Sequence, residues 1–293
     1  MPSPLDSTIP HPPSGPIQSL ALDLDGTLLN SSHQISPKNA EAVRLAHQAG
    51  VHIILSSGRM TPTILPYFEF LGIPGTLISY NGARLSTFTP GKPPQVLVSH
   101  QLPSSVCTDI FELCRQWNLL LNIYTDDSLW AYQPQGDFSL ARFYTEQTGA
   151  VYQGKTQDPL LFSSSEVIKM LAICPIEERD FYFNNFSNHL GVSCQIIKSQ
   201  PQYVEFTLLG VTKALALETY FKNAQISADQ CMAMGDAEND LEMLQWAGWG
   251  IAVANASQGL KEKFNRHSPY NHDQDAVARA IYQYILMSPF NPD

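Results

Sequence analysis

Short apolar runs alternate with helix-like stretches in the first part of the chain. Residues 19–22, 51–55 and 76–80 are apolar runs of strand length. Residues 37–49 and 62–71 lie between them and are predicted to be helices, the first of them flanked by capping residues. The order strand, helix, strand, helix, strand predicts a doubly wound, Rossmann-like α/β domain with a parallel sheet.

The pattern changes after Asn81 and Gly82, a turn signal that either lines a ligand site or serves only as a hinge. From 83 to 208 the runs are short and mixed, which predicts an inserted α+β domain with mostly antiparallel pairing. Its expected strands are residues 96–99, 120–125, 129–132, 169–174, 193–197 and 203–207, and its expected helices are residues 104–117 and 177–188.

The α/β pattern resumes after the insertion and continues to the last helix. Its expected elements are helix 213–221, strand 231–235, helix 239–247, strand 250–254 and helix 275–286. We therefore predict a discontinuous core domain, residues 17–82 and 209–293, with the insertion 83–208 as a second domain. Residues 1–16 are rich in proline, lack the features of a signal peptide and are expected to be a disordered extension.

Composition narrows the class of protein. The 293 residues are 44% hydrophobic, enough for one large or two moderate domains. A formal net charge of -10 argues against a nucleic-acid-binding face and makes any phosphate site depend on local cations. Five cysteines without a CxxC pair fit reduced thiols in a cytoplasmic protein. No apolar run reaches the roughly 20 residues that span a bilayer, so we expect no membrane association.

Two aspartates end the first predicted strand. Asp23 and Asp25 are two residues apart, so strand alternation directs both side chains to one side, and Gly26 lets the backbone turn there. Two close carboxylates repel each other unless a cation lies between them, and Mg²⁺ is the hard cation that oxygen ligands suit. By itself this run is also compatible with an acidic surface turn that binds no metal.

Other chemically suggestive residues also follow strands. Ser57 and Gly58 end the second strand, and Asp236 follows the strand at 231–235. In a parallel sheet, ligands bind beyond the carboxyl ends of the strands, so these residues should meet the Asp23 loop in one crevice. Lys213 begins a helix, where its charge opposes the helix dipole, which favours a functional role.

These four segments, in this order, resemble the haloacid dehalogenase superfamily, and within it the Cof-type phosphatases, which have a large α/β cap. The segments are residues 22–28, 53–59, 210–213 and 234–240, and the resemblance extends over nearly the whole chain from about residue 17. It implies a Rossmann-like core with an inserted α+β cap, and a Mg²⁺-dependent phosphatase.

The resemblance also implies roles for the catalytic residues. Asp23 is the expected nucleophile, forming an aspartyl-phosphate; the alternative is a metal ligand beside which a bound water attacks. Asp25 is the expected general acid and base, and its backbone carbonyl would also bind Mg²⁺. Asp236 is the expected third metal ligand. Lys213 would neutralise charge on the phosphoryl group and on Asp23 during transfer.

The expected phosphate-binding residues surround this centre. They are Leu24, Ser57, Gly58, Lys213 and Asn239. Ser57 offers a hydroxyl and Gly58 an unobstructed backbone N–H. Asn239 would reach the phosphate through its amide, or would act only as a helix cap. Around them, Thr27 is expected to brace the first loop, and Asp240 to orient a metal-bound water.

Two other functions remain open on this fold. A phosphomannomutase-type phosphoryl transferase would use the same aspartyl-phosphate, but would need several basic residues in the insertion, and no dense basic cluster occurs there. A catalytically silent regulatory protein would be marked by loss of Asp23, Asp25 or Lys213, all of which are present. We therefore expect a hydrolase of a small phosphorylated metabolite, such as a sugar phosphate, with the insertion selecting the leaving group. The expected assembly is a monomer or a weak homo-oligomer.

Overall fold

The computed structural model describes residues 15–125, 128–162 and 166–291. Two compact units are formed. The first contains the chain up to Arg59, Ile64–Leu97 and the chain from Thr212 onward, and the second contains Met60–Thr63 and Val98–Val211. The predicted disordered extension, residues 1–16, lies outside the described residues except for its last two.

The strands and helices are numbered in chain order. The strands are β1 (Ser19–Asp23), β2 (His52–Ser56), β3 (Gly75–Ser79), β4 (Arg84–Phe88), β5 (Gln95–Ser99), β6 (Leu120–Thr125), β7 (Ser128–Tyr132), β8 (Tyr152–Thr156), β9 (Val167–Ile173), β10 (Cys194–Gln200), β11 (Tyr203–Leu208), β12 (Cys231–Gly235) and β13 (Trp249–Ala252). The helices are α1 (Pro37–Gln48), α2 (Thr61–Leu71), α3 (Ser104–Trp117), α4 (Ser139–Thr148), α5 (Arg179–Leu190), α6 (Lys213–Ala224), α7 (Leu241–Trp246), α8 (Gln258–Lys263) and α9 (Ala276–Tyr284).

The first unit is built on a seven-stranded sheet of order β13-β12-β1-β2-β3-β4-β5. The five strands from β13 to β3 pair in parallel, and β4 is antiparallel to β3. Apolar residues of β1, β2 and β12 pack with α1, α2 and α9 in one buried core. This parallel sheet confirms the predicted Rossmann-like fold class. It also aligns strand ends, because Asp23 lies opposite Ser56, and Leu22 opposite Met234.

The boundary of the insertion differs from the predicted one. The predicted insertion began at residue 83, whereas β4 and β5 continue the first sheet and the second unit begins its long segment at Val98. The physical reason lies in β4, where Phe88 is buried and packs against Phe68 of α2 with ring centroids 5.7 Å apart. Polar residues dominate the segment that contains β4, so its attachment to the core is hard to recognise from the sequence.

The second unit is built on a six-stranded sheet of order β10-β11-β9-β6-β7-β8. Its pairings are antiparallel except for the parallel pair of β7 and β8. The helices α3 and α5 pack on this sheet, with Ile110, Phe111 and Phe186 among the buried residues of a second apolar core. The mixed α+β architecture predicted for the insertion is therefore observed in this unit.

Two elements of the second unit, α4 and β8, and two of the first, β4 and α8, were absent from the prediction. α4 is short, and β8 carries the polar sequence YQGKT, so neither has the apolar periodicity on which the prediction relied. α8 has six residues and one buried apolar side chain, Leu260. Among the described residues, no helix combines the length and apolarity that crossing a bilayer requires. All five cysteines are buried free thiols.

Candidate active site

The first loop of the candidate site follows directly from β1. Asp23 is the last residue of that strand and is 6% exposed, and Leu24 after it is fully buried. The loop turns back at once, because the backbone N–H of Leu28 donates to the carbonyl of Asp23 at 3.2 Å. The side-chain amide of Asn255 donates to the carbonyl of Gly26 at 2.7 Å and fixes the loop from a distant segment. The end of β1 is therefore held rigidly.

Lys213 bridges two buried carboxylates. Its Nζ donates to Oδ1 of Asp23 and to Oδ1 of Asp240, each at 2.6 Å, and the side chain is 1% exposed. Lys213 is the first residue of α6, and Thr212 caps that helix by accepting from the backbone N–H of Leu215 at 3.2 Å. The cap fixes the start of the helix, so that the ammonium group reaches the end of β1.

Asp240 links Lys213 to the loop after β12. Its second oxygen, Oδ2, accepts from the backbone N–H groups of Asp236 at 3.0 Å and Ala237 at 3.1 Å. Close packing requires Gly235, because a Cβ on that residue would lie 2.6 Å from Cβ of Asp240. Both carboxylate oxygens of Asp240 are thus engaged by protein groups. These contacts orient the Lys213 ammonium and the loop after β12. That Asp240 also contacts a metal-bound water stays a prediction.

The charges in this pocket are strongly perturbed by burial. Burial raises the pKa of Asp23 well above its ordinary value, with Asp240 and Asp236 adding to the rise and Lys213 opposing it. Burial, together with the neighbouring Asp240, raises the pKa of Asp236 to about 7. Burial alone would lower the pKa of Lys213, but its two carboxylate partners outweigh burial and raise it. Lys213 is therefore a firmly held cation in a pocket with an excess of carboxylates.

The donor set of this pocket fits a divalent cation. Asp23, Asp236 and Asp240 each offer a carboxylate oxygen, and these atoms lie within 4.8 Å of one another. Protein groups engage both oxygens of Asp240. The better candidates to face a cation are therefore Asp23 and Asp236. The first loop lies against Asp236, since Thr27 Oγ1 is 3.5 Å from Asp236 Oδ1 and a Cβ on Gly26 would overlap Oδ2. Clustered carboxylates with one ammonium leave a negative excess that a hard cation offsets.

Asp25 is held by Arg59, the last residue of the second of the four motifs. Arg59 Nε donates to Asp25 Oδ2 at 2.7 Å, and Nη2 of the same guanidinium bonds Oδ1. Arg59 also donates to the hydroxyl of Tyr67 at 3.1 Å, and His33 Nδ1 lies 3.6 Å from Asp25 Oδ1. A bidentate ion pair of this kind fixes the orientation of the carboxylate and favours its ionised form.

Asn81 contacts both the loop after β2 and the residues that precede α7. Ser57 is buried, and its hydroxyl accepts from the backbone N–H of Arg59 at 3.2 Å. A Cβ on Gly58 would lie 2.9 Å from Oδ1 of Asn81, so the glycine allows a close approach there. The same Oδ1 accepts from Nδ2 of Asn239 at 2.9 Å. Asn239 lies in a short 3-10 helix, Glu238–Asp240, that precedes α7.

The structure therefore brings most of the predicted residues into two groups in the first unit, while Asp25 bonds Arg59 and Leu24 is buried after β1. Asp23, Lys213, Asp236, Asp240 and Thr27 form the acidic centre, and Ser57, Gly58 and Asn239 are joined through Asn81. The sequence analysis missed His33, Tyr67 and Asn255 as supporting residues. Of these, only Asn255 carried a local signal, because it lies in an Asn-Ala turn directly after a predicted strand.

Replacing Gly26 by alanine should damage the acidic centre selectively. Gly26 has φ +79°, and the added Cβ would overlap the Asp236 carboxylate. Gly50 has φ +91° with nothing within 4 Å of its Cβ position, so Gly50→Ala carries the backbone penalty, about 1–2 kcal/mol, without the collision. We expect Gly26→Ala to lose at least as much stability in thermal unfolding as Gly50→Ala, because it adds the collision to the same backbone penalty. Only Gly26→Ala should weaken the binding of Mg²⁺, so that a Mg²⁺ titration reaches its midpoint at a concentration roughly 10- to 100-fold higher; equal titrations would contradict this.

Known proteins are similar to this chain over most of its length. Residues 20–281 match the family of haloacid dehalogenase-like hydrolases. A relative in Bacillus subtilis, 5-amino-6-(5-phospho-D-ribitylamino)uracil phosphatase YcsE, is 29% identical over 92% of this chain and 96% of its own length. Pyridoxal phosphate phosphatase YbhA of Escherichia coli is 25% identical over 91% of this chain and 98% of its own.

A solved structure of the same family is also similar to this chain. The crystal structure of a haloacid dehalogenase-like hydrolase from Bacteroides thetaiotaomicron superimposes with a TM-score of 0.79 at 26% identity, covering 91% of this chain and 98% of that one. The resemblance expected from the four motifs is thus confirmed. The chain belongs to the haloacid dehalogenase-like hydrolase family and is an enzyme of its phosphatase group.

Proposed function

We propose that this enzyme is a Mg²⁺-dependent phosphomonoester hydrolase that acts on a small phosphorylated metabolite through an aspartyl-phosphate. The observation that carries the proposal is the buried carboxylate of Asp23, which ends β1 and bonds Lys213 at 2.6 Å. A carboxylate held next to a fixed ammonium is suited to attack a phosphoryl group whose charge the same ammonium offsets.

Asp23 and Asp25 divide the reaction between them. Because Lys213 bonds Oδ1 of Asp23, its Oδ2 is the candidate attacking atom. Attack on phosphorus forms the Asp23–phosphorus bond and breaks the bond to the leaving oxygen, which takes a proton from Asp25. Water then attacks the same phosphorus, Asp25 accepts its proton, and phosphate leaves as the Asp23 carboxylate is restored. The two-point bond of Arg59 holds Asp25 as a carboxylate, so Asp25 must release at least one of these bonds to carry the proton in both transfers.

Asp23, Asp236 and the backbone carbonyl of Asp25 would hold Mg²⁺. When bound, the cation would offset charge on the phosphoryl oxygens and on the surrounding carboxylates. Asp240 would support the metal ligands and not bind the metal itself, because its two oxygens bond Lys213 and the loop of Asp236. The remaining phosphate contacts are assigned to Leu24, Ser57, Gly58 and Asn239, which flank this centre.

The substrate class rests on the relatives. Two of them are named for phosphatase activity on phosphoribitylaminouracil and on pyridoxal phosphate, both small phosphorylated metabolites. We propose a substrate of the same class, with sugar phosphates included, for this enzyme. We further propose a cytoplasmic enzyme, monomeric or weakly associated, that binds neither nucleic acid nor membranes. The net charge of -10 supports the absence of a nucleic-acid partner.

Removing the metal should abolish turnover. We expect protein stripped with excess EDTA to lose hydrolysis of p-nitrophenyl phosphate, Mg²⁺ to restore it, and Ca²⁺ to substitute poorly, since Mg²⁺ demands near-octahedral geometry. The restored enzyme should then be assayed for phosphate release over a panel of phosphorylated metabolites. Undiminished turnover in EDTA would refute the metal requirement, and absence of turnover with every phosphate ester would refute the proposed function.

A further inference from the structure

An unusual backbone turn follows β3. Tyr80, Asn81 and Gly82 have φ values of 53°, 56° and 105° in succession. Positive φ is uncommon outside glycine, and for a bulky residue such as the fully buried Tyr80 it is a genuine outlier. Two such non-glycine residues in a row cost free energy that the surrounding contacts must offset, and costs of this kind concentrate at functional sites.

The turn is held against the loop that follows β2. The backbone N–H of Tyr80 donates to the carbonyl of Arg59 at 2.9 Å, and that of Asn81 donates to the carbonyl of Ser57 at 3.1 Å. The side chain of Asn81 is 6% exposed and packs on Gly58, where a Cβ would come within 2.9 Å of its Oδ1. Asn81 therefore covers the segment to which phosphate binding is assigned.

The same turn touches the segments that carry Lys213 and Asn239. A Cβ on Gly82 would overlap the carbonyl of Thr212 and lie 3.0 Å from the backbone nitrogen of Lys213. Oδ1 of Asn81 accepts from Nδ2 of Asn239 at 2.9 Å. Three segments that are far apart in sequence thus meet at one three-residue turn.

We infer that Asn81 is a positioning residue that aims the amide of Asn239 at the phosphate of the substrate. The inference rests on the proposed function. An amide nitrogen carries two hydrogens. Asn81 takes one of them, so the second N–H of Asn239 points in a fixed direction instead of rotating with an otherwise exposed side chain. The left-handed backbone of Asn81 places its carboxamide between the Gly58 segment and Asn239.

A double-mutant cycle tests this coupling. Asn81→Gly keeps the positive φ and removes the carboxamide, and Asn239→Ala removes the amide that it aims. With p-nitrophenyl phosphate and Mg²⁺, we expect each single variant to lose about tenfold in kcat/KM, mostly through KM, which corresponds to one lost hydrogen bond. The double variant should lose little more than either single one, because the two side chains act as a unit. Inhibition by inorganic phosphate should weaken in parallel.

The chain offers a matched control in the second unit. Asn118 also has a left-handed backbone, φ 53°, and its Oδ1 accepts from the side-chain amide of Gln133 at 2.8 Å. Asn118→Gly therefore removes an amide pair at another left-handed residue, one that is exposed whereas Asn81 is buried, and should leave phosphate inhibition unchanged.

The outcomes separate the two proposals. Additive effects in the cycle, or wild-type kinetics for Asn81→Gly in an enzyme that hydrolyses p-nitrophenyl phosphate, would overturn the inference and leave the proposed function standing. Lack of turnover by the wild-type enzyme with every phosphate ester would overturn the proposed function, and the inference with it.

Discussion

Asp23→Asn should abolish turnover without unfolding the protein. The substitution keeps the shape of the side chain but removes the attacking carboxylate, so we expect kcat for p-nitrophenyl phosphate to fall by about 10⁴-fold or more. Stability should not fall in parallel. Lys213 keeps its 2.6 Å bond to Asp240, and one buried carboxylate is removed from a pocket that has too many. In EDTA the melting temperature should stay the same or rise, as often happens when a strained catalytic group is neutralised.

Asp229→Asn provides the control for this experiment. Asp229 is an exposed aspartate between α6 and β12, in the same unit as Asp23, so its amide variant should keep both turnover and stability. If Asp23→Asn retained a tenth or more of wild-type kcat, Asp23 would be a metal ligand or a structural residue and water would be the attacking group.

Lys213→Met should lose both activity and stability. The methionine keeps most of the length of the side chain and removes the ammonium, leaving Asp23 and Asp240 buried without their shared partner. Removing one partner of a buried ion pair typically costs about 3–5 kcal/mol, so thermal or urea unfolding should show a large loss. Turnover should fall by about 10²- to 10³-fold or more, since the fixed positive charge next to the phosphoryl group is lost.

Lys222→Met is the matched variant in the same helix. Lys222 lies exposed in the last turn of α6, and its replacement should change the free energy of unfolding by less than about 0.5 kcal/mol and leave kcat unchanged. A stable, active Lys213→Met protein would mean that the ammonium supports neither the fold nor the chemistry. A stable but inactive one would assign the lysine to catalysis alone.

The centre of the site was predictable because local sequence signals coincide there with fold geometry. Asp23, Ser57 and Asp236 each follow a short apolar strand, and in a parallel sheet such positions meet at one edge. Lys213 was recognisable because a lysine at a helix start is electrostatically unfavourable unless an anion lies nearby. Each of these signals involves only a few neighbouring residues. The α/β pattern is what predicts that the residues lie close together in the fold.

The partners of these residues were not predictable in the same way. The two-point bond of Arg59 to Asp25, the seating of Asn81 on Gly58 and the engagement of both Asp240 oxygens depend on loop conformation. Loop conformation follows from backbone torsions and packing across segments far apart in sequence, which apolar periodicity does not encode. The same reason explains why β4 was assigned to the insertion, since its attachment depends on pairing with β3.

The most direct test of the account is to trap phosphate on Asp23. In Asp25→Asn, the good leaving group of p-nitrophenyl phosphate should depart without acid assistance, while the water that follows lacks its base. Rapid mixing with Mg²⁺ should release about one equivalent of p-nitrophenolate per enzyme and then stall, and peptide mass mapping after acid quench should place a phosphoryl group on Asp23. Steady release with no phosphate on the protein would contradict a covalent mechanism at Asp23.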